Sequence, residues 1–134
     1  MMRILIGIFF ILHGLVHALY TSQSLRLFEL QPGMVWPERS WLLSRFADSQ
    51  TLRIIGGISL AVVALTFIVG GTGLLAKQGW FKPITLAACA LSTLLYLAYW
   101  DGTLQHLDNQ GGIGILINIA VATSLLMNWP ELNL

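Results

Sequence analysis

The sequence predicts an all-α integral membrane protein, a single domain over residues 1–134 that consists of four transmembrane helices. Composition is the first reason, because 56% of the 134 residues are hydrophobic and only 10% are charged. Soluble domains carry about 25% charged residues to cover their surface, so this chain needs lipid as its solvent. Second, there are four apolar stretches at 4–20, 54–75, 80–100 and 112–129. Each is close to the roughly 20 residues that a helix needs to cross a bilayer.

Aromatic residues at the ends of these stretches are the third reason. Trp80 begins the third stretch, Tyr99 and Trp100 end it, and Trp129 ends the fourth. Tryptophan and tyrosine favour the interface between lipid and water. The apolar runs are continuous rather than alternating, and four strands could not close a barrel, so the sequence predicts helices.

The first stretch has a second interpretation. An arginine followed by an apolar run is typical of a secretory signal peptide. However, the small–x–small pattern of a cleavage site is missing, and His13 and His17 lie inside the run. We therefore expect this stretch to be retained as a helix.

The longest connection covers residues 21–53. It contains both signs of charge, with Arg26, Arg39, Arg45, Arg53, Glu29, Glu38 and Asp48. Within it, 37–46 combines apolar side chains with arginines, which predicts a short amphipathic helix lying on the membrane surface. The turn that holds Lys77 and Lys82 is short, so the second and third helices should form an antiparallel hairpin.

The distribution of basic residues indicates an orientation. Arg3 lies on the same side as Lys77 and Lys82, whereas the long connection lies on the opposite side. Long loops weigh less than short ones in the positive-inside rule. We expect a bacterial inner-membrane protein with both termini in the cytoplasm.

Two kinds of chemistry are disfavoured. The net charge of +1 provides no basic patch for a nucleic-acid partner. Cys89 is the single cysteine of the chain, so neither an intramolecular disulfide nor a CxxC motif can form.

Polar residues at membrane depth indicate function, because placing them in lipid is costly. His13 and His17 are four residues apart and share one face of the first helix with glycines that permit close packing. The antiparallel topology puts polar residues of several helices in one half of the membrane, namely His13, His17, Arg53, Asp101, His106, Asp108 and Asn118. We expect the functional site in that half.

In a structural interpretation of this cluster, the imidazoles hydrogen-bond to Asp101, Asn118 or backbone carbonyls and hold the helices together. Arg53 then serves as a counter-ion for Asp101. The protein would be an assembly subunit of a larger membrane complex or a homo-oligomer.

A second interpretation is a membrane enzyme or a metal site. His13 and His17 could bind one metal ion, with Asp101 or His106 as a third ligand, or act with Asp101 as acid and base. Two imidazoles four residues apart on one helix cannot supply both axial ligands of one haem. The cofactor therefore stays open.

The third interpretation is a pocket for a lipid-soluble ligand such as a quinone. Our main prediction is a small membrane subunit or a ligand-binding protein of this kind, with a redox-linked function. Transport is a further alternative, although four helices are few for a transporter unless the chain oligomerises. The pocket would open to the bilayer beneath the long connection. Its ligand-binding residues would be His13, His17, Arg53, Trp100, Asp101 and Asn118. Phe10, Trp36, Tyr96 and Trp100 would hold the ring of the ligand.

The His13–Gly14–Leu15–Val16–His17 motif resembles the HGLIH-type start of small bacterial four-helix membrane proteins of the DoxX-like type. The end of the third stretch, Trp100–Asp101–Gly102, and the glycine-led fourth stretch with Asn118 are similar to the same pattern. The resemblance implies a four-helix bundle and an association with membrane oxidoreductase assemblies and quinone-linked sulfur metabolism. The long connection with its arginines is larger than that pattern leads us to expect.

Overall fold

The computed structural model describes residues 1–105, 107 and 110–132, and it is all-helical in this part of the chain. The elements are α1 (Met2–Ser24), a 3₁₀ turn (Leu43–Arg45), α2 (Ser49–Leu75), α3 (Phe81–Ala98) and α4 (Gly112–Leu126). The predicted all-α class is confirmed. Helices α1, α2 and α3 are long and apolar enough to cross a membrane, and α4 is apolar but shorter, with 15 residues.

The helix ends differ from the ends of the apolar stretches. α1 continues to Ser24, a turn beyond the apolar run, and α2 begins at Ser49, five residues before its run. The carboxylate of Asp48 accepts a hydrogen bond from the backbone N–H of Thr51 at 2.8 Å and so caps α2. Hydropathy marks the apolar part of a helix, whereas caps and polar turns set where it ends.

The outer surface of the helices is apolar, unlike that of a soluble protein. On α1 the outward-facing side chains are apolar and 45–56% exposed, as seen for Leu5, Ile8, Leu12, Leu15 and Leu19. The interior holds an apolar core, and it also holds polar side chains that are at most 1% exposed, among them His17, Thr85, Ser92 and Asn118. An apolar exterior of this extent is suited to lipid rather than to water.

Glycines bring α1 and α2 into backbone contact. A Cβ added at Gly71 would lie 2.7 Å from the carbonyl oxygen of Gly7. A Cβ added at Gly14 would lie 2.8 Å from the carbonyl oxygen of Ala64. Close packing of this kind stabilises helix pairs in lipid, where the hydrophobic effect does not drive helices together.

The connection between α1 and α2 crosses the end of α3 and caps it. Three side chains of the connection donate hydrogen bonds to backbone carbonyls at the end of α3. Trp36 donates to Tyr99, Trp41 to Leu97 and Ser40 to Ala98. The final carbonyls of a helix have no partner within the helix, so an external donor stabilises them. The connection is therefore attached to the bundle rather than detached from it.

The predicted amphipathic helix at 37–46 is wrong. The regular structure in this segment is limited to the 3₁₀ turn Leu43–Arg45. The Ser40 hydroxyl oxygen accepts hydrogen bonds from the backbone N–H groups of Leu42 and Leu43, at 3.2 and 2.8 Å. These side-chain bonds compete with the backbone pattern of a helix, which explains the difference.

The helices pack in chain order, α1 on α2, α2 on α3 and α3 on α4. Between the first and the last helix runs a groove of about 400 Å³. It is lined from α1 by Ile6, Phe9 and Phe10, and from α4 by Ile117, Ala120 and Val121. We refer to it as the α1–α4 groove.

Candidate functional site

A hydrogen bond between His13 and Asn118 joins α1 to α4. The Nε2 atom of His13 lies 3.3 Å from Oδ1 of Asn118, and the two side chains are 7% and 1% exposed. Phe9 and Ile117 line the α1–α4 groove, whereas His13 and Asn118 do not. His13 lies one turn beyond Phe9 and Asn118 directly follows Ile117, so the pair lies behind the lining of the groove.

The ring of Phe9 connects the groove to the His13 imidazole. The two rings are stacked, with centroids 6.0 Å apart and an interplanar angle of 13°. On its other side the imidazole meets the edge of Phe67 of α2 at 4.7 Å. Because Phe9 is 42% exposed, the imidazole is one aromatic ring away from the surroundings of the protein.

His17 is fully enclosed. Its imidazole is 0% exposed and lies between the rings of Phe67 and Tyr96, at centroid distances of 5.6 and 5.5 Å. Nε2 of His17 is 3.3 Å from the Ser92 hydroxyl, and Nδ1 is 3.2 Å from the Tyr96 hydroxyl. Both ring nitrogens are hydrogen-bonded, so this imidazole has no atom left for a ligand.

The amide of Asn118 links the two histidines. Its Nδ2 donates to the hydroxyls of Ser92, at 2.8 Å, and Thr93, at 3.2 Å, and Ser92 in turn contacts His17. With its N–H groups turned to α3, Asn118 offers only its oxygen to His13, so Nε2 of His13 must carry the proton. In the neutral ring Nδ1 is then an acceptor, and within the described residues it makes no hydrogen bond.

The predicted site residues separate into two groups. His13, His17 and Asn118 meet inside the bundle. Arg53, Trp100 and Asp101 instead lie near the ends of helices and form hydrogen bonds with neighbours at those ends. These bonds connect Arg53 to the Ser24 carbonyl, Trp100 to the Thr103 carbonyl, and Asp101 to Gln110 and Thr103. The hydrogen bonds of the histidines go to Asn118, Ser92 and Tyr96 instead of Asp101.

A second opening lies beneath the long connection, where we predicted the entrance of the pocket. Asp101, Gln110 and Trp36 line a polar cleft of about 400 Å³ there. Trp36 packs against Tyr96 with centroids 5.6 Å apart and so lies between this cleft and His17. The α1–α4 groove, whose lining includes Phe9 beside His13, is a different opening.

In the part of the chain that the structure describes, the predicted metal site lacks a complete set of ligands. No group of three His, Cys, Asp or Glu side chains is placed there to hold an ion. His13 and His17 meet edge to face at 5.1 Å, and three of their four ring nitrogens are hydrogen-bonded to other groups. His106 and Asp108 lie outside the described residues.

Sequence reasoning did not assign the α3 partners of the histidines. Ser92 and Tyr96 are four residues apart, as His13 and His17 are, so each pair shares one helical face. That matching spacing was a usable signal. Phe67, whose ring contacts both imidazoles, carries no signal, because it is one apolar residue among many on α2.

Comparisons of the chain with family models, curated proteins and solved structures gave no match. The interpretation of the site therefore rests on its own geometry.

Proposed function

We propose that the chain is an integral membrane protein whose four helices all cross the bilayer, with both termini in the cytoplasm of a bacterium. The outward-facing residues of α4 support the fourth crossing, since Ile113, Leu116 and Ile119 are 55–68% exposed. Its 15 residues cover about 22 Å, and the apolar side chains of Met127 and Trp129 follow directly after it. Arg3, Lys77 and Lys82 lie at the end of the bundle that holds the chain termini. Basic residues close to membrane-spanning helices favour the cytoplasmic side, which supports cytoplasmic termini.

The function in this proposal is to bind a lipid-soluble ligand with a planar head, of the quinone class, in the α1–α4 groove. The observation that carries it is that this groove opens between two helices and is lined by Phe9, whose ring stacks on the imidazole of His13. A ligand dissolved in the bilayer could enter sideways without crossing water. The volume of about 400 Å³ is within the range of roughly 300–1,000 Å³ typical of small-molecule sites.

The residues in and behind the lining of the groove suit such a head group. Phe9 and Phe10 supply aromatic surface for the ring. With Nε2–H held by Asn118, the neutral His13 ring can accept a hydrogen bond from a quinol hydroxyl, and the protonated ring can donate one to a quinone carbonyl. Transfer of electrons would require a redox partner, so the chain would act as a ligand-binding subunit.

The test is a titration of the purified full chain in nanodiscs with decylubiquinone, followed by quenching of tryptophan fluorescence. Trp129 lines the groove, so its fluorescence should be quenched when the quinone ring binds there. Ala120→Phe fills the groove and should abolish saturable quenching. The matched control is Ala90→Phe, at an exposed position of α3, which should bind as the unaltered chain does.

Two results would overturn this assignment. One is the absence of saturable quenching by the unaltered chain. The other is equal binding by the Ala120→Phe and Ala90→Phe variants, because a ligand that ignores the filled groove must lie elsewhere.

The closed surroundings of His17 favour a second candidate, a purely structural role for the network. In that case His13→Ala would weaken folding or assembly without a separate loss of ligand binding. An enzymatic role of His13 as acid or base, and the resemblance to DoxX-like proteins, stay predictions beside this proposal.

A further inference from the structure

The segment 39–46, at the end of the bundle opposite the chain termini, combines arginines with exposed apolar side chains. Trp41, Leu42 and Phe46 are 52%, 41% and 81% exposed. Arg39 and Arg45 are exposed as well. We call these five residues the 39–46 patch.

A closed turn fixes the backbone between the two arginines of the patch. The backbone N–H of Ser40 donates to the Ser44 hydroxyl at 3.0 Å, and the N–H of Ser44 donates to the Ser40 carbonyl at 3.3 Å. Arg39 directly precedes this turn and Arg45 directly follows it. Both arginines therefore extend from the two ends of one hydrogen-bonded turn.

The positive charge of the patch is not compensated by the acidic residues nearby. Glu38 is engaged with Arg26 in an ion pair of 2.6 Å, and Asp48 caps α2 through Thr51. Residues 39–46 contain no acidic side chain. Arg39 and Arg45 make no hydrogen bond or ion pair with any residue that the structure describes.

The patch is fixed at the end of a membrane-length helix. Trp41 bonds twice to the end of α3, through its indole N–H to Leu97 at 2.8 Å and through its backbone N–H to Trp100 at 2.8 Å. With its N–H satisfied, the indole can expose its apolar ring to lipid. Tryptophan at the end of such a helix is typical of the interfacial zone, where lipid head groups lie.

We propose that the 39–46 patch binds the phosphate of an anionic membrane lipid. Arg39 and Arg45 would contact the phosphate oxygens, since guanidinium groups match that geometry. Trp41, Leu42 and Phe46 would lie among the upper parts of the acyl chains. This inference rests on the membrane insertion in the proposed function but not on ligand binding in the α1–α4 groove, which is at the other end of α1.

The test compares lipids retained by the full chain after release from nanodiscs of phosphatidylcholine mixed with phosphatidylglycerol, measured by native mass spectrometry. The unaltered chain should retain phosphatidylglycerol in preference to phosphatidylcholine. Because each basic residue near an anionic surface is worth about 1 kcal/mol, loss of both charges in Arg39→Gln/Arg45→Gln should reduce the preference roughly thirtyfold. Arg39→Lys/Arg45→Lys should retain most of it.

The control is Lys77→Gln, an exposed cation at the opposite end, which should leave most of the preference intact. If Lys77→Gln lowers the preference as much as the double glutamine variant, the effect is general charge and the patch is not the site. An unchanged preference in the double glutamine variant also overturns the proposal. Inorganic phosphate that displaces phosphatidylglycerol at low concentration would assign the arginines to a soluble anion instead.

Circular dichroism of each variant checks that the helices are intact. If the double glutamine variant does not fold, the arginine-to-lysine variant and the phosphate competition decide between the outcomes.

Discussion

The two histidines of α1 occupy opposite environments although they lie one turn apart. His17 is 0% exposed, stacked between two rings and bonded through both nitrogens. His13 is bonded through one nitrogen and stacks on Phe9, which lines the open α1–α4 groove. The difference arises from the neighbouring side chains, because Ser92 and Tyr96 of α3 enclose His17, whereas the partly exposed ring of Phe9 lies beside His13. Identical residue types on one helical face can therefore lie in different environments, and the proposed function assigns a binding role to His13 alone.

Replacing His17 should have the largest effect on stability. His17→Ala leaves a cavity between Phe67 and Tyr96 and removes the partner of two buried hydroxyls, so the free energy of unfolding should fall by about 3 kcal/mol. The measurement is equilibrium unfolding in mixed detergent micelles. A loss well below about 1 kcal/mol would show that the closed environment contributes little.

The glycine contact between α1 and α2 should come next. Gly71→Ala places a methyl group against the backbone of Gly7 and should cost about 1–3 kcal/mol in the same unfolding experiment. Gly79→Ala is the matched control, since no atom lies within 4 Å of a Cβ at that position. Equal stability of the two variants would contradict the backbone contact.

Replacing His13 should separate stability from binding. His13→Ala removes one interhelical hydrogen bond, and such bonds contribute about 0.6 kcal/mol on average in membrane proteins, so stability should change little. Binding of decylubiquinone should nevertheless be lost. If His13→Ala destabilises the chain more than His17→Ala does, the comparison between the two environments is wrong.

The smallest effect is expected at the cap of α2. Hydrogen bonds from the backbone N–H and then the hydroxyl of Thr51 hold the pKa of the Asp48 carboxyl below its usual value. Because the pKa of Asp48 is lower in the folded than in the unfolded state, its cap stabilises the fold at pH values above the unfolded pKa of about 3.9. This stabilisation is lost as the pH falls through the folded pKa.

Thermal unfolding between neutral pH and pH 3 measures this loss. Asp48→Asn retains an acceptor for Thr51 without a titrating group, so its midpoint should fall less on acidification than that of the unaltered chain. Parallel pH profiles of the two proteins would rule out Asp48 as a source of the pH dependence.

The sequence was sufficient to predict the helices and the inward direction of the helical face that carries the histidines. Composition and the apolar runs indicate the elements, and the spacing of His13 and His17 places both rings inside the bundle, where the structure has them. Antiparallel topology also puts Asn118 at the depth of His13, and the two side chains are hydrogen-bonded.

The remaining features depend on packing that a one-dimensional pattern does not contain. The depth argument grouped Asp101 and Arg53 with the histidines, but depth does not determine which side of a helix a residue faces. Asp101 follows the end of α3, where Gln110 and Thr103 provide nearby partners. The groove between α1 and α4 likewise has no signature in either helix alone, so it could not be predicted.

The most direct test of the account locates the ligand itself. A photoreactive quinone analogue is irradiated with the reconstituted full chain, and the modified peptides are sequenced by mass spectrometry. The account predicts labels on α1 around Phe9 and on α4 between Ile117 and Val121, and competition by decylubiquinone should remove them. Labels confined to the cleft around Trp36 and Asp101, or distributed over the lipid-facing surfaces of all helices, would contradict it.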